Sequence, residues 1–279
     1  MVVYKKNKEK RAIRTLAVLI HGDCRDALRN MPEKSVALTL TSPPYDNLRK
    51  YGPGQDWSPK VWEEVLKGLY RVTVPGGVVV WVVADATIKG SETGTSFKQA
   101  LFAMSCGFNL HDTMIYQKAN YPPLTHRRYE QSFEFMFVFS KGKPKTFNPI
   151  MAPCKNPGKV EKYGPGRRKN NGKLHAMRLY PGTGFKKTKG FKISPNIFKY
   201  PSGKRNRGHP APFSERLARD QIISWSNKGD LVLDPFMGSG TTGKVAKQLD
   251  RDFMGVETVE KFFILATERI EKPAQSKLF

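Results

Sequence analysis

An α/β fold with a largely parallel sheet, covered by helices on both faces, is predicted by three features of this 279-residue chain. Apolar runs of strand length recur along it. Helical patterns fall between them. The runs are continuous in Val, Leu and Ile rather than alternating apolar with polar, as strands buried on both faces are. Strands that alternate with helices build βαβ units, and such crossovers join parallel neighbours in a doubly wound sheet.

The elements follow in order. The run 16–20 (LAVLI) is the first strand, and the helix at 23–31 (DCRDALRNM) opens on Asp23 or Asp26 as its cap. A strand at 36–41 (VALTLT) precedes a helix at 58–72, which starts Ser-Pro and stops at Pro-Gly-Gly. The run 78–83 (VVVWVV) is a strand, and 96–106 is a helix with Gly107 as its C-terminal cap. Two more strands fall at 111–117 and 133–139. The last third reads as helix 213–225, strand 231–234, helix 241–249, strand 252–256 and helix 258–271, giving seven strands in all.

Residues 141–208 break this rhythm. They are rich in Gly, Pro, Asn and Lys ("YGPG", "RRKNNGK", "SGKRNRG") and read as an insertion of turns and short strands. The chain thus divides into 1–140, the insertion 141–208, and 209–279, the outer parts forming one domain. The insertion holds 19 Lys/Arg against one acid, Glu161, in a chain of net charge +24. A block of that sign repels itself unless an anion is nearby, so a polyanion, DNA or RNA, is the expected partner. The aromatics interleaved with it, among them Phe147, Tyr163, Tyr180, Phe185 and Phe198, argue against a merely solvated basic tail. Cys24, Cys106 and Cys154 are scattered with no Cys-x-x-Cys pair. That pattern argues against a zinc site and a disulfide framework, no metal is expected, and a reducing, cytoplasmic setting fits. The longest apolar run, "VVVWVVA", is far short of a membrane span, and the charged N-terminus carries no signal core.

Two stretches carry chemistry. At 41–45, Thr-Ser-Pro-Pro-Tyr follows strand 36–41 directly. Consecutive prolines suit neither a helix interior nor a central strand, so this backbone is held stiff and extended past a strand end. At 232–242, "VLDPFMGSGTT", a strand ends at Asp234, a glycine turn follows, and a helix starts near Thr241. Gly238, Gly240 and Gly243 satisfy G-x-G-x-x-G, and Glu257 ends the next strand 19 residues past Gly238, where a ribose-binding acid is expected. The spacing points to a nucleoside with free ribose hydroxyls without saying which, so a nicotinamide oxidoreductase remains open on this motif alone.

Together, "TSPPY" and "DPFMGSGTT" resemble the S-adenosylmethionine-dependent DNA methyltransferases that modify amino groups, cytosine N4 or adenine N6. The catalytic motif precedes the glycines with a long basic insertion between, an order similar to the beta group of that family. The resemblance runs from "HGDCRDAL" to "FMGVE". It implies a Rossmann-like, seven-stranded methyltransferase sheet in which 1–140 is the catalytic half, 141–208 the target-recognition insertion and 209–279 the cofactor-binding half.

It also implies roles. An exocyclic amine is a poor nucleophile because its lone pair is delocalised into the ring. Acceptors aimed at its protons localise that pair, and in-line placement does the rest. Ser42 Oγ and the carbonyl of Pro43 are the candidate acceptors, Pro44 stiffens the corner, and Tyr45 stacks on a base flipped out of the duplex. On the cofactor side the resemblance assigns Asp234, Pro235 and Phe236 at the loop's start. Gly238, Ser239 and Gly240 allow close backbone approach, and Thr241 sits where a carboxylate meets a helix N-terminus. Glu257 falls at the ribose hydroxyls. Asp23, with Cys24 in "GDC", falls at the adenine amine, although Asp23 also reads as a plain helix cap. His209 in "HPAPF" reads equally as lining the methionine pocket or as a structural histidine. Arg49 follows the catalytic loop beside Asp46 and Asn47. The DNA-contact candidates are Arg49, Arg167, Arg168, Lys169, Lys186, Lys187, Lys204, Arg205 and Arg207.

A serine at position 42 favours cytosine N4 by resemblance, since adenine-N6 enzymes more often carry Asp or Asn there; adenine N6 is the alternative. C5 methylation is disfavoured because no cysteine sits after a proline in a catalytic loop. An RNA methyltransferase and a non-catalytic nucleic-acid-binding protein are the more remote readings. The partner implied is double-stranded DNA, with a monomer or homodimer and a cognate restriction endonuclease both compatible with the family, in a bacterial, archaeal or phage setting.

Overall fold

The computed structural model describes residues 2–3, 15–46, 57–121, 128–158, 160–162, 185–187, 190–201 and 214–271. The chain forms two compact units, residues 1–148 with 196–279, and residues 149–195.

In chain order the elements begin β1 (Val2–Val3), β2 (Ala17–His21), α1 (Cys24–Asn30), β3 (Val36–Thr41), α2 (Pro59–Val72), β4 (Thr73–Val83), β5 (Thr87–Ile88) and β6 (Ser91–Glu92). They continue α3 (Thr95–Ser105), β7 (Asn109–Lys118), β8 (Phe133–Ser140), β9 (Met151–Pro153), β10 (Val160–Lys162), β11 (Phe185–Lys187), β12 (Phe191–Ile193) and β13 (Ile197–Tyr200). Last come α4 (Glu215–Trp225), β14 (Leu231–Asp234), α5 (Thr241–Gln248), β15 (Asp252–Glu257) and α6 (Glu260–Glu271).

The larger unit is built on one nine-stranded sheet in the order β1-β2-β15-β14-β3-β4-β8-β7-β13. The block β2-β15-β14-β3-β4 is parallel throughout, and β8 is antiparallel to both its neighbours. The central strands bury both faces. Along β4, Val78, Val80 and Val82 enter one core with Leu217, Ile222, Val245 and Ala266 of α4, α5 and α6. Val79, Trp81 and Val83 enter the other core with Val65, Leu66, Leu69 and Ala103 of α2 and α3. This two-sided covering is the doubly wound arrangement predicted from the unbroken Val/Leu/Ile runs, because only strands shielded on both faces gain from being apolar at every position.

All seven predicted strands and all six predicted helices are present, within a few residues of their expected bounds. The sheet carries two further strands at its edges. β1 pairs antiparallel with β2, and β13 pairs in parallel with β7. β13 lies in the part of the sequence assigned to the insertion. Its four residues are too short and too near basic residues to announce a sheet strand, and it is pairing with Ile115–Lys118 that makes it one. β4 also begins at Thr73, directly after α2, rather than beyond the Pro-Gly-Gly stop. Gly76 N donates to Lys141 O and Lys145 N donates to Gly76 O, so long-range bonding carries the strand through residues that locally end a helix.

The smaller unit contains two antiparallel pairs, β9 with β12 and β10 with β11. Ser194 N donates to Ile150 O and so draws its two ends together.

Candidate active site

β14 and β3 are neighbours at the centre of the sheet. The chain leaves β14 through α5 for β15 on one side, and leaves β3 through α2 for β4 on the other. Their loops therefore diverge from adjacent carboxyl ends, which opens a crevice at the switch point of an α/β sheet. The glycine loop and the proline loop, whose anchors Asp234 and Thr41 lie 193 residues apart in sequence, both start there.

Asp234 ties the two together. It is 1% exposed. Thr41 Oγ1 donates to its Oδ1 at 2.7 Å, Thr242 Oγ1 donates to its Oδ2 at 2.7 Å, and Phe236 N donates to Oδ1 at 3.2 Å. Thr41 is the residue before Ser42, and Thr242 lies in the first turn of α5, so one carboxylate clamps the proline loop, the glycine loop and the helix start. Burial pushes its carboxyl up to about 6, and the donors from Thr41, Thr242 and Phe236 pull against that rise.

The glycine turn is shaped by its backbone. Gly238 and Gly240 adopt φ of 51° and 76°, the left-handed region that favours glycine. Gly238 N donates to Glu257 Oε2 at 2.8 Å, and Val259 N donates to Glu257 Oε1 at 2.9 Å. Glu257 is thus fixed at the end of β15 beside the turn, with lone pairs left on both oxygens for hydroxyl donors. Burial raises its carboxyl above the usual range, and those backbone donors work against the rise. Arg269 of α6 donates to the carbonyl and, at 2.8 Å, to Oγ of Ser239, and so holds the loop from behind. The Phe236 ring meets Trp57 edge-on at 5.2 Å and Trp81 at 6.3 Å, forming an aromatic wall. Trp57 Nε1 is buried there with no hydrogen-bond partner among the described residues, a donor available to a ligand.

Asp23 caps α1. Its carboxylate accepts from Arg25 N at 2.7 Å and from the Arg25 guanidinium, and the guanidinium holds the carboxyl below its ordinary range. Roughly a third of its side chain stays exposed, so the cap and a ligand contact are compatible. Cys24 begins the same helix, and burial raises its thiol to about 12, which leaves it a packing residue rather than a reactive thiolate.

In the proline loop, Ser42 Oγ lies 2.7 Å from the Tyr45 hydroxyl. The Tyr45 hydroxyl donates to Glu134 Oε2 at 2.7 Å, and Glu134 Oε1 pairs with Lys118 Nζ at 2.8 Å. Asp46 accepts from Ala86 N at 3.2 Å and from Thr93 Oγ1 at 2.6 Å, so it anchors the loop's exit. The two loops are joined through Asp234, which bonds Thr41 just before Ser42 and Phe236 just before the glycine turn, and Tyr45 and Phe236 pack against the same core. His209, Arg49, Arg167, Arg168, Lys169, Lys204, Arg205 and Arg207 lie outside the described residues, as do the side chains of Lys186 and Lys187. Thr41, Thr242, Lys118, Glu134 and Arg269 were not singled out from the sequence. Thr41 and Thr242 stand inside the two motifs but their partner is not written there, and Lys118, Glu134 and Arg269 stand outside any motif; the partners lie between 8 and 193 residues away along the chain. Among the described residues no group of His, Cys, Asp and Glu could hold a metal ion, and no helix is long and apolar enough to cross a membrane.

The family model described as "DNA methylase" (N6/N4 methyltransferases) matches residues 36–268. The orphan methyltransferase M.BamHII of Bacillus amyloliquefaciens is 46% identical over 254 residues, 87% of this chain and 91% of that protein. The type II methyltransferase M.SmaI of Serratia marcescens is 28% identical, with 90% of each chain covered. Among solved structures, the M1.HpyAVI–SAM complex superposes with a TM-score of 0.62 at 27% identity, covering 92% of this chain and all of that one. The cytosine-N4-specific PvuII DNA methyltransferase shares the fold, with a TM-score of 0.67 at 20% identity over 93% of this chain and 88% of its own. A family model that spans the chain from the first residue of β3 into α6, across both loops of the crevice, places this protein in the N6/N4 DNA methylase family.

Proposed function

We propose that this protein transfers the methyl group of S-adenosylmethionine to the exocyclic N4 of a cytosine flipped out of duplex DNA, in the cytoplasm. The observation that carries the reading is the Asp234 clamp, which brings the Ser42 loop and the Gly238 loop to one crevice through the Thr41 hydrogen bond. In this reading the first loop holds the base and the second the cofactor, and the clamp between them supports their sharing one methyl.

The residues fit the cofactor. Glu257 offers free lone pairs to ribose hydroxyls, the Phe236 wall offers an apolar face to an adenine, Trp57 Nε1 offers an unpaired donor, and the α5 N-terminus at Thr241 offers backbone N–H groups to a carboxylate. When bound there, S-adenosylmethionine supplies a methyl group on a positively charged sulfur. Ser42 Oγ and the Pro43 carbonyl accept from the target NH2 and localise its lone pair, the Pro43–Pro44 corner fixes the direction of those acceptors, and Tyr45 packs on the base. Residues 149–195, with 12 Lys/Arg and a single acid, serve target recognition, their charge neutralising phosphates. The preference for cytosine rests on Ser42.

The test is methylation of duplex DNA with labelled cofactor, followed by digestion to nucleosides. Label in N4-methylcytosine is expected. Label in N6-methyladenine would overturn the cytosine reading and keep the reaction class, and label only on RNA would overturn the substrate.

A further inference from the structure

We propose that Glu134, backed by Lys118, is a positioning residue that sets the direction of the Ser42–Tyr45 hydrogen bond, so that Ser42 presents lone pairs and no proton to the target amine. The inference rests on the proposed role of Ser42 as an acceptor for that amine.

The direction follows from counting protons. Glu134 is the carboxylate of an ion pair, with Oε1 2.8 Å from Lys118 Nζ and only 13% of its side chain exposed. Paired in this way, it accepts and does not donate. The Tyr45 hydroxyl, 2.7 Å from Glu134 Oε2, must therefore spend its single proton on that bond. The contact between Ser42 Oγ and Tyr45, also 2.7 Å, then has one consistent polarity, with Ser42 donating to Tyr45. The remaining valence of Ser42 Oγ is lone pair alone. A hydroxyl left to itself rotates, and some of its arrangements point a proton at an amine that also carries protons, which repels. The Ser42–Tyr45–Glu134–Lys118 chain removes those arrangements before the base arrives. Such preorganised polarity is worth most at the reacting centre, where removing one oriented partner costs about 10²–10³ in rate.

The frame around the chain is rigid. Glu134 and Lys118 sit on β8 and β7, which pair without a break from Asp112 to Gln117, and Tyr116 pairs with Glu134 in register. β13 pairs Tyr200 with Lys118 from the other side. The edge strand of the sheet thus fixes Lys118, Lys118 fixes Glu134, and the polarity passes to a loop that leaves a strand 77 residues earlier than Lys118 by chain position.

Glu134→Gln tests it. Lys118 would hold the amide oxygen and turn the amide NH2 toward Tyr45, which reverses every bond down to Ser42. Single-turnover methyl transfer should fall about 10²-fold, while S-adenosylmethionine affinity and the fluorescence of a flipped 2-aminopurine at the target stay within a few-fold of the parent. Tyr45→Phe keeps the ring and cuts the chain, and should lower the same rate about tenfold, as the loss of one hydrogen bond does. In the Tyr45→Phe background Glu134→Gln should cost nothing further, because the link it acts through is gone. Equal losses in both backgrounds, or a parental rate in either single variant, would overturn the proposal. Should Glu134→Gln fail to fold, the Tyr45→Phe rate decides alone. A parent that flips the base and binds cofactor but transfers no methyl would instead overturn the reading of Ser42 on which this rests.

Discussion

At the scale of the residue, Asp234 carries an electrostatic cost that the fold retains. Its carboxyl is raised to about 6 by burial, against roughly 3.9 in an unfolded chain. Between those values the native state binds more protons than the unfolded state, so stability falls as pH rises through that window. Two units correspond to on the order of 3 kcal/mol. Asp234→Asn carries no such slope. Thermal unfolding of the two proteins from pH 4 to pH 7 should show the wild type losing ground to the Asn variant as pH rises; parallel curves would remove the buried charge from the account. The cost is retained because the charge accepts three bonds and joins Thr41, Phe236 and Thr242, which a neutral amide cannot do with the same donors. Glu257 works similarly at the end of β15, where two backbone donors keep a half-buried carboxyl beside the glycine turn.

At the scale of the element, α5 shows why the third glycine of the motif is a glycine. A Cβ on Gly243 would come within 2.4 Å of Phe253 Cε1 and 2.6 Å of Ile270 Cδ1. Both side chains are buried, at 1% and 2% exposure, and neither has room to retreat. The role is close approach of a helix to β15 and α6 rather than contact with a ligand. Gly243→Ala should cost about 1–3 kcal/mol through overpacking, read as a fall of several degrees in Tm. Cofactor affinity of the folded protein should change far less, and a variant of unchanged Tm that binds cofactor poorly would reverse this assignment. The elements themselves were legible in the sequence where periodicity and caps are local, as in the Ser-Pro start of α2 and the Val-rich core of β4. β13 was not, since Ile197–Tyr200 is a strand only because β7 offers it a bonding edge. The extension of β4 back to Thr73 was hidden by Pro75, Gly76 and Gly77, whose local preference is to stop a helix.

At the scale of the whole molecule, the unit at 149–195 stands out by basic charge that almost no acid offsets. The unit at 149–195 carries 12 of the chain's 48 Lys/Arg and one of its 24 acids, while the sheet unit holds the crevice. A deletion that tests this must stop at residue 195, because Ile197–Tyr200 belongs to the main sheet. With 150–195 replaced by a short Gly-Ser linker, S-adenosylmethionine affinity should persist. Duplex affinity should fall at least about a hundredfold, and its dependence on salt should flatten, since each lost phosphate contact removes about 0.9 from the log–log slope. Retention of the parental salt slope would place the DNA contacts elsewhere.

The sequence by itself determined the alternation of strands and helices, the stiff Ser42–Tyr45 corner, the glycine turn with Glu257 after it, and the basic insertion. Each of these is written in neighbouring residues through periodicity, fixed φ, left-handed glycines or charge density. Only the tertiary structure decided that Thr41 bonds Asp234, that Arg269 braces Ser239, and that Lys118 and Glu134 stand behind Tyr45. Those partners are up to 193 positions apart, and a short polar side chain carries no mark of which distant strand end will face it until strand order has placed the two side by side.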